Sequence, residues 1–303
     1  MKFSTMQEVL GWAAERNRAV CAFNVNNMEL VQAVVGAADE VGVPVILQVS
    51  SGARKYAGMG YIIKLVEAAV EGARVPIALH LDHGDSFELC KECLDAGFSS
   101  VMIDGSHLSF EENVAVTKRV VEYARKMGAC VEGELGKIAG IEEHVQNDES
   151  VYTDPKMARE FVERTGVTSL AVSIGTAHGA FKYKTANPGL RFDILEAIHR
   201  GIPGTPLVLH GASSVTPADV ETINRHGGRV ENAIGVGEDV LAKAIPLGVR
   251  KINIDSDLRL AFTAKVREYF TARPEEFDPR AWLGAARAHV RELVKRKFGV
   301  FSV

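Results

Sequence analysis

The chain has 303 residues, 47% of them hydrophobic and 24% charged, with a formal net charge of -4 at pH 7. This composition is typical of a folded protein with a large core, and the slight negative charge gives no electrostatic reason to expect a nucleic-acid or membrane partner. No run is long and apolar enough to span a bilayer, and Glu8, Glu15 and Arg16 interrupt any signal-peptide pattern. We therefore expect a cytoplasmic protein. Four cysteines in a chain of this size predict no disulfide framework.

Eight short apolar runs rich in β-branched residues recur along the chain and predict eight strands. They cover residues 20–25, 45–49, 77–81, 100–103, 130–135, 169–174, 206–210 and 250–254. Between most of them the apolar residues are spaced about 3.6 apart, which predicts helices, for example over 30–41, 62–71, 87–96 and 112–126. Further helices are predicted near the N-terminus, over 6–16, and near the C-terminus, over 258–270 and 280–297.

Eight strand and helix units predict a TIM (β/α)8 barrel of the α/β class, formed by residues 1–303 as one domain with extra N-terminal and C-terminal helices. A doubly wound sheet is the alternative, but it normally has fewer strands and a glycine-rich loop after the first one. No such loop follows Asn24. Because barrels keep their chemistry at the carboxyl ends of the strands, the residues that follow each strand are the candidates for a functional site.

Histidines follow three of the predicted strands. His83 comes after the third strand, His178 after the sixth, and His210 ends the seventh. Since the carboxyl ends of barrel strands meet on one face, these side chains could supply the three protein ligands that catalytic zinc commonly takes. A single histidine in such a place is more often a hydrogen-bonded structural residue. His80 shares a strand with His83, but strand alternation groups it with Asp82, so we interpret it as a residue behind the site or in the core.

Carboxylates occupy several of the same strands. Asp82 stands beside His83, where it could act as a general base next to a metal ligand. Glu132 and Glu134 share one face of the fifth strand, and a buried carboxylate requires a cation, a metal or a hydrogen-bond network. Asp104, at the end of the fourth strand, could join them.

Loops rich in glycine and serine follow the last three strands. Glycines expose backbone N–H groups and serine hydroxyls add donors, and the loops after the last two strands of a barrel often hold phosphate. The candidate positions are Gly179, 211–214 and 253–257. Lys182 and Arg280 are cations that could meet a phosphate, and the segment 137–150, which includes Glu142, predicts a lid over the site.

Five motifs match one family in order and spacing. They are HLDHG at 80–84, EGELG at 132–136, GTAHG at 175–179, HGASS at 210–214 and NIDSD at 253–257. On these motifs the chain, from about Ala22 to Arg280, resembles the class II, metal-dependent fructose-1,6-bisphosphate aldolases, of the shorter type that includes tagatose-bisphosphate aldolases. It departs from the family pattern at Ala139, where glycine is usual and the hinge of the lid could differ, and at Ser256, where threonine is common.

The resemblance implies a set of metal ligands. His83, His178 and His210 would bind the catalytic metal, which would be zinc or cobalt. Asp104 and Glu134 would hold a second or alternative metal position. The resemblance also leaves room for a monovalent cation.

The resemblance further implies which residues handle protons and substrate. Asp82 would transfer the proton of the C4 hydroxyl group, and Glu142 would transfer the proton on the carbon of the ketone phosphate. The positions that match the substrate pocket are Asn24, Ser50, Gly179, Gly211, Ser213, Asn253, Asp255 and Ser256, with Arg280 for the second phosphate.

The implied reaction is the reversible cleavage of fructose 1,6-bisphosphate to dihydroxyacetone phosphate and glyceraldehyde 3-phosphate, as in glycolysis and gluconeogenesis, with a divalent metal stabilising the enediolate. The implied partners are sugar phosphates and further copies of the chain, in a homodimer or homotetramer. Tagatose 1,6-bisphosphate is the alternative substrate, because the two sugars differ only in configuration at C4.

Two more remote alternatives remain. A metal-dependent hydrolase usually carries a His-x-His pair after the first strand, where this chain has Phe23-Asn24-Val25. A sugar-phosphate-binding protein without catalysis would need neither Asp82 nor Glu142. An aldolase of the Schiff-base type would need a buried lysine at a strand end, and the sixth strand runs into GTAHG without one.

Overall fold

The computed structural model describes residues 3–142, 145–147, 150–179 and 188–303. The strands in this part of the chain are β1 (Val20–Asn24), β2 (Val45–Ser50), β3 (Ile77–Gly84), β4 (Ser100–Ile103), β5 (Cys130–Leu135), β6 (Ala139–Glu142), β7 (Val145–Asn147), β8 (Ser169–Val172), β9 (Ala177–His178), β10 (Leu207–Leu209) and β11 (Val249–Ile254). Eight of them close into a parallel barrel in the order β1, β11, β10, β8, β5, β4, β3 and β2. The predicted eight-stranded barrel is therefore confirmed.

Helices cover the outside of the barrel. They are α1 (Met6–Arg16), α2 (Met28–Val41), α3 (Ser51–Ala57), α4 (Met59–Glu71), α5 (Phe87–Asp95), α6 (Phe110–Lys126), α7 (Pro155–Thr165), α8 (Phe192–Gly201), α9 (Pro217–Arg225), α10 (Glu238–Ala242), α11 (Ser256–Ala272) and α12 (Pro279–Phe301). Their apolar faces bury the outward-facing side chains of the strands in one large hydrophobic cluster. Within the described residues, no helix has the length and apolar character that crossing a membrane requires.

Local sequence signals explain where the predicted helices begin. Thr5 and Glu8 form a reciprocal capping box at the start of α1, and Ser109 and Glu112 form another at the start of α6. Pro279 occupies the first turn of α12, where its missing N–H costs no hydrogen bond. These signals place the helix starts close to the predicted positions, and α1 has the predicted bounds.

Three short strands lie outside the barrel and were not predicted. The strands β6 and β7 pair in antiparallel fashion, and β9 lies parallel to β6. They have four, three and two residues, which is too short for a periodic pattern to show. This small sheet occupies part of the predicted lid segment 137–150 and joins it to the segment that carries His178.

One end of the barrel is plugged by the N-terminal helix. Met6, Val9 and Leu10 of α1 pack against Val20, Ile46 and other small apolar residues that point into the barrel from its N-terminal end. Polar side chains fill the interior towards the carboxyl ends of the strands. The barrel therefore has an apolar floor and a polar mouth, which is the distribution expected of a TIM barrel with its site at the carboxyl end.

All four cysteines are buried free thiols. Burial raises the pKa of Cys21 to about 12 and that of Cys93 to about 12. Cys90 and Cys93 lie on the buried face of α5, and Cys90 donates its thiol hydrogen to the backbone oxygen of Met102. These thiols pack as small hydrophobic groups, in agreement with the predicted lack of a disulfide framework.

Candidate metal centre and active site

The three histidines singled out in the sequence meet at the carboxyl end of the barrel. His83 comes from β3, His178 from β9, and His210 directly follows β10. One ring nitrogen from each lies within 4.8 Å of the other two, and all three residues are buried. The rings of His83 and His210 have centroids 4.6 Å apart, and those of His83 and His178 are 5.0 Å apart. The cluster therefore offers three nitrogen ligands at one point.

A backbone irregularity lets the neighbouring residues Asp82 and His83 both face this point. In a regular strand, successive side chains point to opposite faces, so one of the two would leave the barrel mouth. His83 has a φ of 48°, in the left-handed region, and the pairing of β3 with β4 shifts register between Leu81 and Gly84. A side chain at Gly84 would meet the backbone oxygen of Met102 at 2.5 Å. The glycine thus allows the turn that brings His83 round.

Carboxylates hold the outer nitrogens of two of the histidines. His83 Nδ1 lies 3.1 Å from Asp104 Oδ2, and His210 Nε2 lies 2.7 Å from Glu132 Oε1. Since a carboxylate only accepts, each of these nitrogens carries the hydrogen, and the other nitrogen of each ring presents a lone pair. Those two nitrogens, His83 Nε2 and His210 Nδ1, are 2.9 Å apart.

Two lone pairs directed at each other at this distance repel unless a positive charge or a hydrogen lies between them. Asn253 Nδ2 supplies part of this compensation, at 3.0 Å from His210 Nδ1. A divalent cation would supply all of it, and three imidazole nitrogens are a ligand set that zinc favours. The residues present therefore fit a metal ion of this kind.

Charges around the cluster favour the protonation states that metal binding requires. Burial lowers the pKa of His210, and the neighbouring His83 lowers it further, so the ring is neutral. Burial alone would raise the pKa of Asp104, but the hydrogen bond to His83 brings it below its usual range. Burial likewise opposes ionisation of Glu132, but Lys251 and His210 lower its pKa. Neutral imidazoles and ionised carboxylates are the states that bind a metal without first releasing a proton.

A second group of possible ligands adjoins the first. His83, Asp104 and Glu134 also offer ligand atoms within 4.8 Å of one another, and all three are buried. This is the set that the sequence resemblance implies for a second or alternative metal position. Because His83 belongs to both groups, the two positions lie next to each other.

Asp82 is held in place by two amide side chains. Asn24 Nδ2 donates to Asp82 Oδ2 at 2.7 Å, and Asn253 Nδ2 donates to Asp82 Oδ1 at 3.2 Å. Gln48 Nε2 donates in turn to Asn24 Oδ1 at 2.9 Å. Ser50 lies opposite Asp82 in the β2–β3 pairing. This carboxylate is therefore fixed at the mouth of the barrel, with His210 Nδ1 4.0 Å away.

Sequence reasoning missed Gln48 and Lys251. Lys251 is fully buried on β11 and makes an ion pair of 2.8 Å with Glu132, and its Nζ lies 3.2 Å from His80 Nε2. His80 is bound on its other side by Ser100 at 2.9 Å, so it lies beneath the histidine cluster as interpreted from the sequence. The signal was present, since Lys251 stands two residues before Asn253 and shares its face of the strand.

The loops predicted to hold phosphate are tied to one another. Ser213 Oγ accepts hydrogen bonds from the backbone N–H groups of Asp255 and Ser256, each at 3.2 Å. Asp255 also forms an ion pair of 2.7 Å with Arg259. Gly211 has a φ of 61°, and a side chain there would meet the backbone oxygen of Ala177 at 2.5 Å. The loop after β10 therefore packs directly against the strand that carries His178.

Three of the predicted site residues are not brought into this cluster. Arg280 lies at the start of α12 with its side chain 90% exposed, and it pairs with Asp278 at 2.7 Å. Lys182 and the side chain of Glu142 lie outside the described residues. The backbone of Glu142 ends β6, whose Gly140 pairs with His178 of β9, so the chain leading to Glu142 runs beside the metal centre.

The barrel, the three convergent histidines and the carboxylate beside them define a metal-dependent barrel enzyme. The family model "Fructose-bisphosphate aldolase class-II" matches residues 4–303, and the chain belongs to the class II fructose-bisphosphate aldolase family. The members of this family are metal-dependent aldehyde-lyases. The family assignment gives no support to the hydrolase alternative, and no finding favours tagatose 1,6-bisphosphate as the substrate.

Individual relatives agree with this assignment over nearly their whole length. The chain is 51% identical to the fructose-bisphosphate aldolase of Thermus caldophilus, with 97% of this chain and 96% of that protein covered. It is 48% identical to the fructose-bisphosphate aldolase of Treponema pallidum, with 96% and 93% covered. Among solved structures, the YdjI aldolase of Escherichia coli K12 aligns with a TM-score of 0.77 at 30% identity, covering 99% of this chain and 97% of that one.

Proposed function

We propose that this chain catalyses the reversible cleavage of fructose 1,6-bisphosphate to dihydroxyacetone phosphate and glyceraldehyde 3-phosphate, as a single domain of residues 1–303. The observation that carries the proposal is the convergence of His83, His178 and His210 within 4.8 Å beside a buried carboxylate, Asp82. Aldol cleavage leaves negative charge on the ketone fragment and requires a base at the C4 hydroxyl group. The cluster and Asp82 supply sites for both.

His83, His178 and His210 are the proposed ligands of a divalent metal, with zinc preferred and cobalt as a substitute. When bound, the metal acts as a Lewis acid that stabilises the negative charge on the ketone oxygen. Asp104 and Glu132 hold His83 and His210 in the tautomers that direct lone pairs to the metal. Glu134, with Asp104, is the proposed ligand of an alternative metal position.

Asp82 is the proposed general base for cleavage and general acid for condensation. Its two oxygens receive hydrogen bonds from Asn24 and Asn253, so the carboxylate is kept ionised in orientation and close to the metal ligands. It would take the proton from the C4 hydroxyl group and return it in the reverse direction. Glu142 is proposed to transfer the proton at the carbon of dihydroxyacetone phosphate.

The substrate phosphates are proposed to bind on the loops after the last three barrel strands. Their backbone N–H groups and hydroxyls are suitable donors to phosphate oxygens. Arg280, whose guanidinium is exposed, is proposed for the second phosphate. The remaining proposed substrate contacts are Asn24, Ser50, Gly179, Lys182, Gly211, Ser213, Asn253, Asp255 and Ser256.

The cellular setting follows from this chemistry. A glycolytic aldolase acts on phosphorylated sugars, so we place the protein in the cytoplasm. A homodimer or homotetramer is proposed, and sedimentation of the purified protein would distinguish them from a monomer.

The experiment that tests the function is cleavage of fructose 1,6-bisphosphate by purified protein, run in parallel with tagatose 1,6-bisphosphate. Each assay is made before and after EDTA treatment, after restoring zinc or cobalt, and with and without potassium. We expect activity on fructose 1,6-bisphosphate that EDTA removes and either metal restores. Activity that survives complete metal removal would contradict the metal mechanism, and faster cleavage of the tagatose sugar would reverse the substrate assignment.

A further inference from the structure

A buried lysine on the C-terminal helix lies directly behind the loop that follows β10. Lys297 of α12 is fully buried, although lysine is seldom buried without a specific partner. Nothing in the aldol mechanism uses it, because it contacts none of the proposed metal ligands or proton donors among the residues described. Its contacts instead run to the loops proposed to bind phosphate.

We propose that Lys297 and Asp257 form a positioning pair that holds the phosphate-binding loops in their working conformation, so that the C-terminal helix sets the affinity of the enzyme for its ketose phosphate substrate. The inference rests on the proposed assignment of these loops to a substrate phosphate. Lys297 is a positioning residue, since it acts through the loops and touches no reacting atom.

The ammonium group of Lys297 joins three elements of the chain. Its Nζ lies 2.8 Å from Asp257 Oδ2 at the start of α11, 2.9 Å from Glu238 Oε1 at the start of α10, and 3.0 Å from Ser214 Oγ in the loop after β10. The side chains of Lys297 and Asp257 are both 0% exposed. Two carboxylates thus share one buried cation, and removing it would leave Asp257 without a counter-charge.

Asp257 passes this constraint to the backbone of the loop after β10. Its Oδ1 accepts a hydrogen bond from Val215 N–H at 2.6 Å, and its Oδ2 accepts one from Ser214 N–H at 2.9 Å. Val215 has a φ of 54°, a left-handed conformation that a β-branched residue rarely adopts. The two hydrogen bonds to Asp257 therefore hold the loop in a shape that its own sequence does not favour.

The two loops are also tied in the opposite direction. Ser213 Oγ receives the N–H groups of Asp255 and Ser256 from the loop after β11. One loop therefore donates to a carboxylate of the other and accepts from its backbone. Because the ties are reciprocal, a shift of Asp257 would move Ser213, Asp255 and Ser256 together, and these are residues proposed to contact the substrate.

The test is the variant Lys297→Met, which keeps the length of the side chain and removes its charge. In the zinc-loaded enzyme we expect KM for fructose 1,6-bisphosphate and Kd for dihydroxyacetone phosphate to rise by about tenfold or more, the usual effect of losing hydrogen bonds to a charged group. We expect kcat to change much less, since Asp82 and the histidines are untouched. Zinc affinity, measured by competition with a chelator, should equal that of the wild type.

The matched control is Lys295→Met, the same substitution on the same helix. Lys295 pairs with Glu40 and Glu292 at the outside of the helix, so its loss should leave the Kd for dihydroxyacetone phosphate unchanged. If Lys297→Met does not give folded protein, Ser214→Ala provides the test, because it removes only the hydroxyl that Lys297 binds. A smaller rise in the same Kd is then expected, again without a change in zinc affinity.

Each outcome decides a different statement. A folded Lys297→Met variant, or in its absence a Ser214→Ala variant, that binds dihydroxyacetone phosphate as tightly as the wild type would overturn the inference. Loss of zinc affinity in parallel with substrate affinity would overturn it as well, because the effect would then be a general loosening of the site. If the zinc-loaded wild type binds neither dihydroxyacetone phosphate nor inorganic phosphate, the proposed function itself fails and the inference falls with it.

Discussion

At the scale of single residues, the metal centre depends on carboxylates that need not touch the metal. Asp104 and Glu132 each take the hydrogen of one histidine ring nitrogen and thereby leave the opposite nitrogen as a ligand. Glu132 is itself held by Lys251. The arrangement selects one tautomer for each ring before any metal arrives, so little reorganisation accompanies binding.

The variant Asp104→Asn tests this role. An amide can still accept the His83 Nδ1 hydrogen, but it lacks the charge that makes the ring a better donor to a metal. We expect the Kd for zinc to rise by roughly tenfold or more, measured by competition with a chelator. The control Asp39→Asn removes a surface partner of Arg74 and should leave the Kd for zinc unchanged. Equal zinc affinity in Asp104→Asn and wild type would contradict the role of Asp104.

The variant Asp82→Asn separates proton transfer from metal binding. Among the described residues Asp82 belongs to neither group of possible metal ligands, so the zinc content should stay at the wild-type value. The loss of the base should lower kcat by about 10²–10⁴-fold. Cleavage assays on protein with its zinc content determined would measure both. Wild-type kcat in a fully loaded Asp82→Asn enzyme would exclude Asp82 as the base.

At the scale of elements, the two-residue strand β9 is confined on both sides by glycines. A side chain at Gly140 of β6 would meet the backbone oxygen and nitrogen of His178, and one at Gly211 would meet the backbone of Ala177. The position of His178 is therefore set by close backbone packing, and the short strand has no room to move towards either neighbour.

The variant Gly140→Ala should disturb the metal centre through this contact. We expect His178 to be displaced, zinc affinity to fall and kcat/KM to decrease by up to about 100-fold, the order of effect that a misplacement of 1 Å produces. Gly97→Ala is a matched control, because Gly97 has a φ of 101° against 105° for Gly140 but nothing within 4 Å of the added carbon. Both variants should lose some thermal stability, and only Gly140→Ala should lose zinc affinity. Equal zinc affinity in the two would refute the packing argument.

The long elements and the strand ends were predictable from sequence, and the irregular positions were not. Apolar periodicity and flanking caps located the barrel strands and α1, and the barrel topology then implied that His83, His178 and His210 meet. The left-handed backbone at His83 contradicts simple alternation, so no pattern rule predicts it.

Partners distant in sequence were the other gap. Lys251 was missed because its partners Glu132 and His80 lie 119 and 171 residues away in the chain. Sequence could show that a buried carboxylate at Glu132 needs a cation, but it could not show which one. The pair of Lys297 and Asp257 was missed for the same reason, since its two residues are separated by 40 positions and by most of two helices.

At the scale of the whole molecule, metal binding should stabilise the fold, because the ligands come from β3, β9 and the end of β10 and meet only when the barrel is closed. Zinc at 100 times its Kd would add about 2.7 kcal/mol to the free energy of unfolding, which corresponds to a rise in Tm of roughly 5 °C. Thermal unfolding after EDTA treatment, and again after zinc is restored, measures this difference. Magnesium, which prefers oxygen ligands, is the control and should not restore the Tm. An unchanged Tm on stoichiometric zinc binding would contradict the prediction.

The buried pair of Asp257 and Lys297 predicts how stability depends on pH. Burial would raise the pKa of Asp257, but Lys297 and the N–H groups of Ser214 and Val215 bring it below its usual value. A carboxyl group with a lowered folded-state pKa stabilises the fold above its unfolded pKa of about 3.9, and this contribution is lost as pH falls through the folded-state pKa.

Asp257→Asn should therefore be less stable than the wild type at pH 7, and the difference should narrow below pH about 3.9. Urea unfolding of both proteins between pH 7 and pH 3, with EDTA present to remove any metal contribution, would measure it. Asp39→Asn, at an exposed position, should differ little from the wild type at every pH. A constant difference between Asp257→Asn and the wild type down to pH 3 would contradict the assignment.

The four buried thiols have a practical consequence for spectroscopy. Since only the thiolate reacts with maleimide and iodoacetamide reagents, sulfurs shielded in the core are silent under ordinary labelling conditions. A cysteine introduced at an exposed position such as Tyr61, whose side chain lies on the outer surface of α4, would then be the single labelled site. Fluorescent or spin probes can thus be attached one at a time to the natural sequence, without first replacing Cys21, Cys90, Cys93 or Cys130.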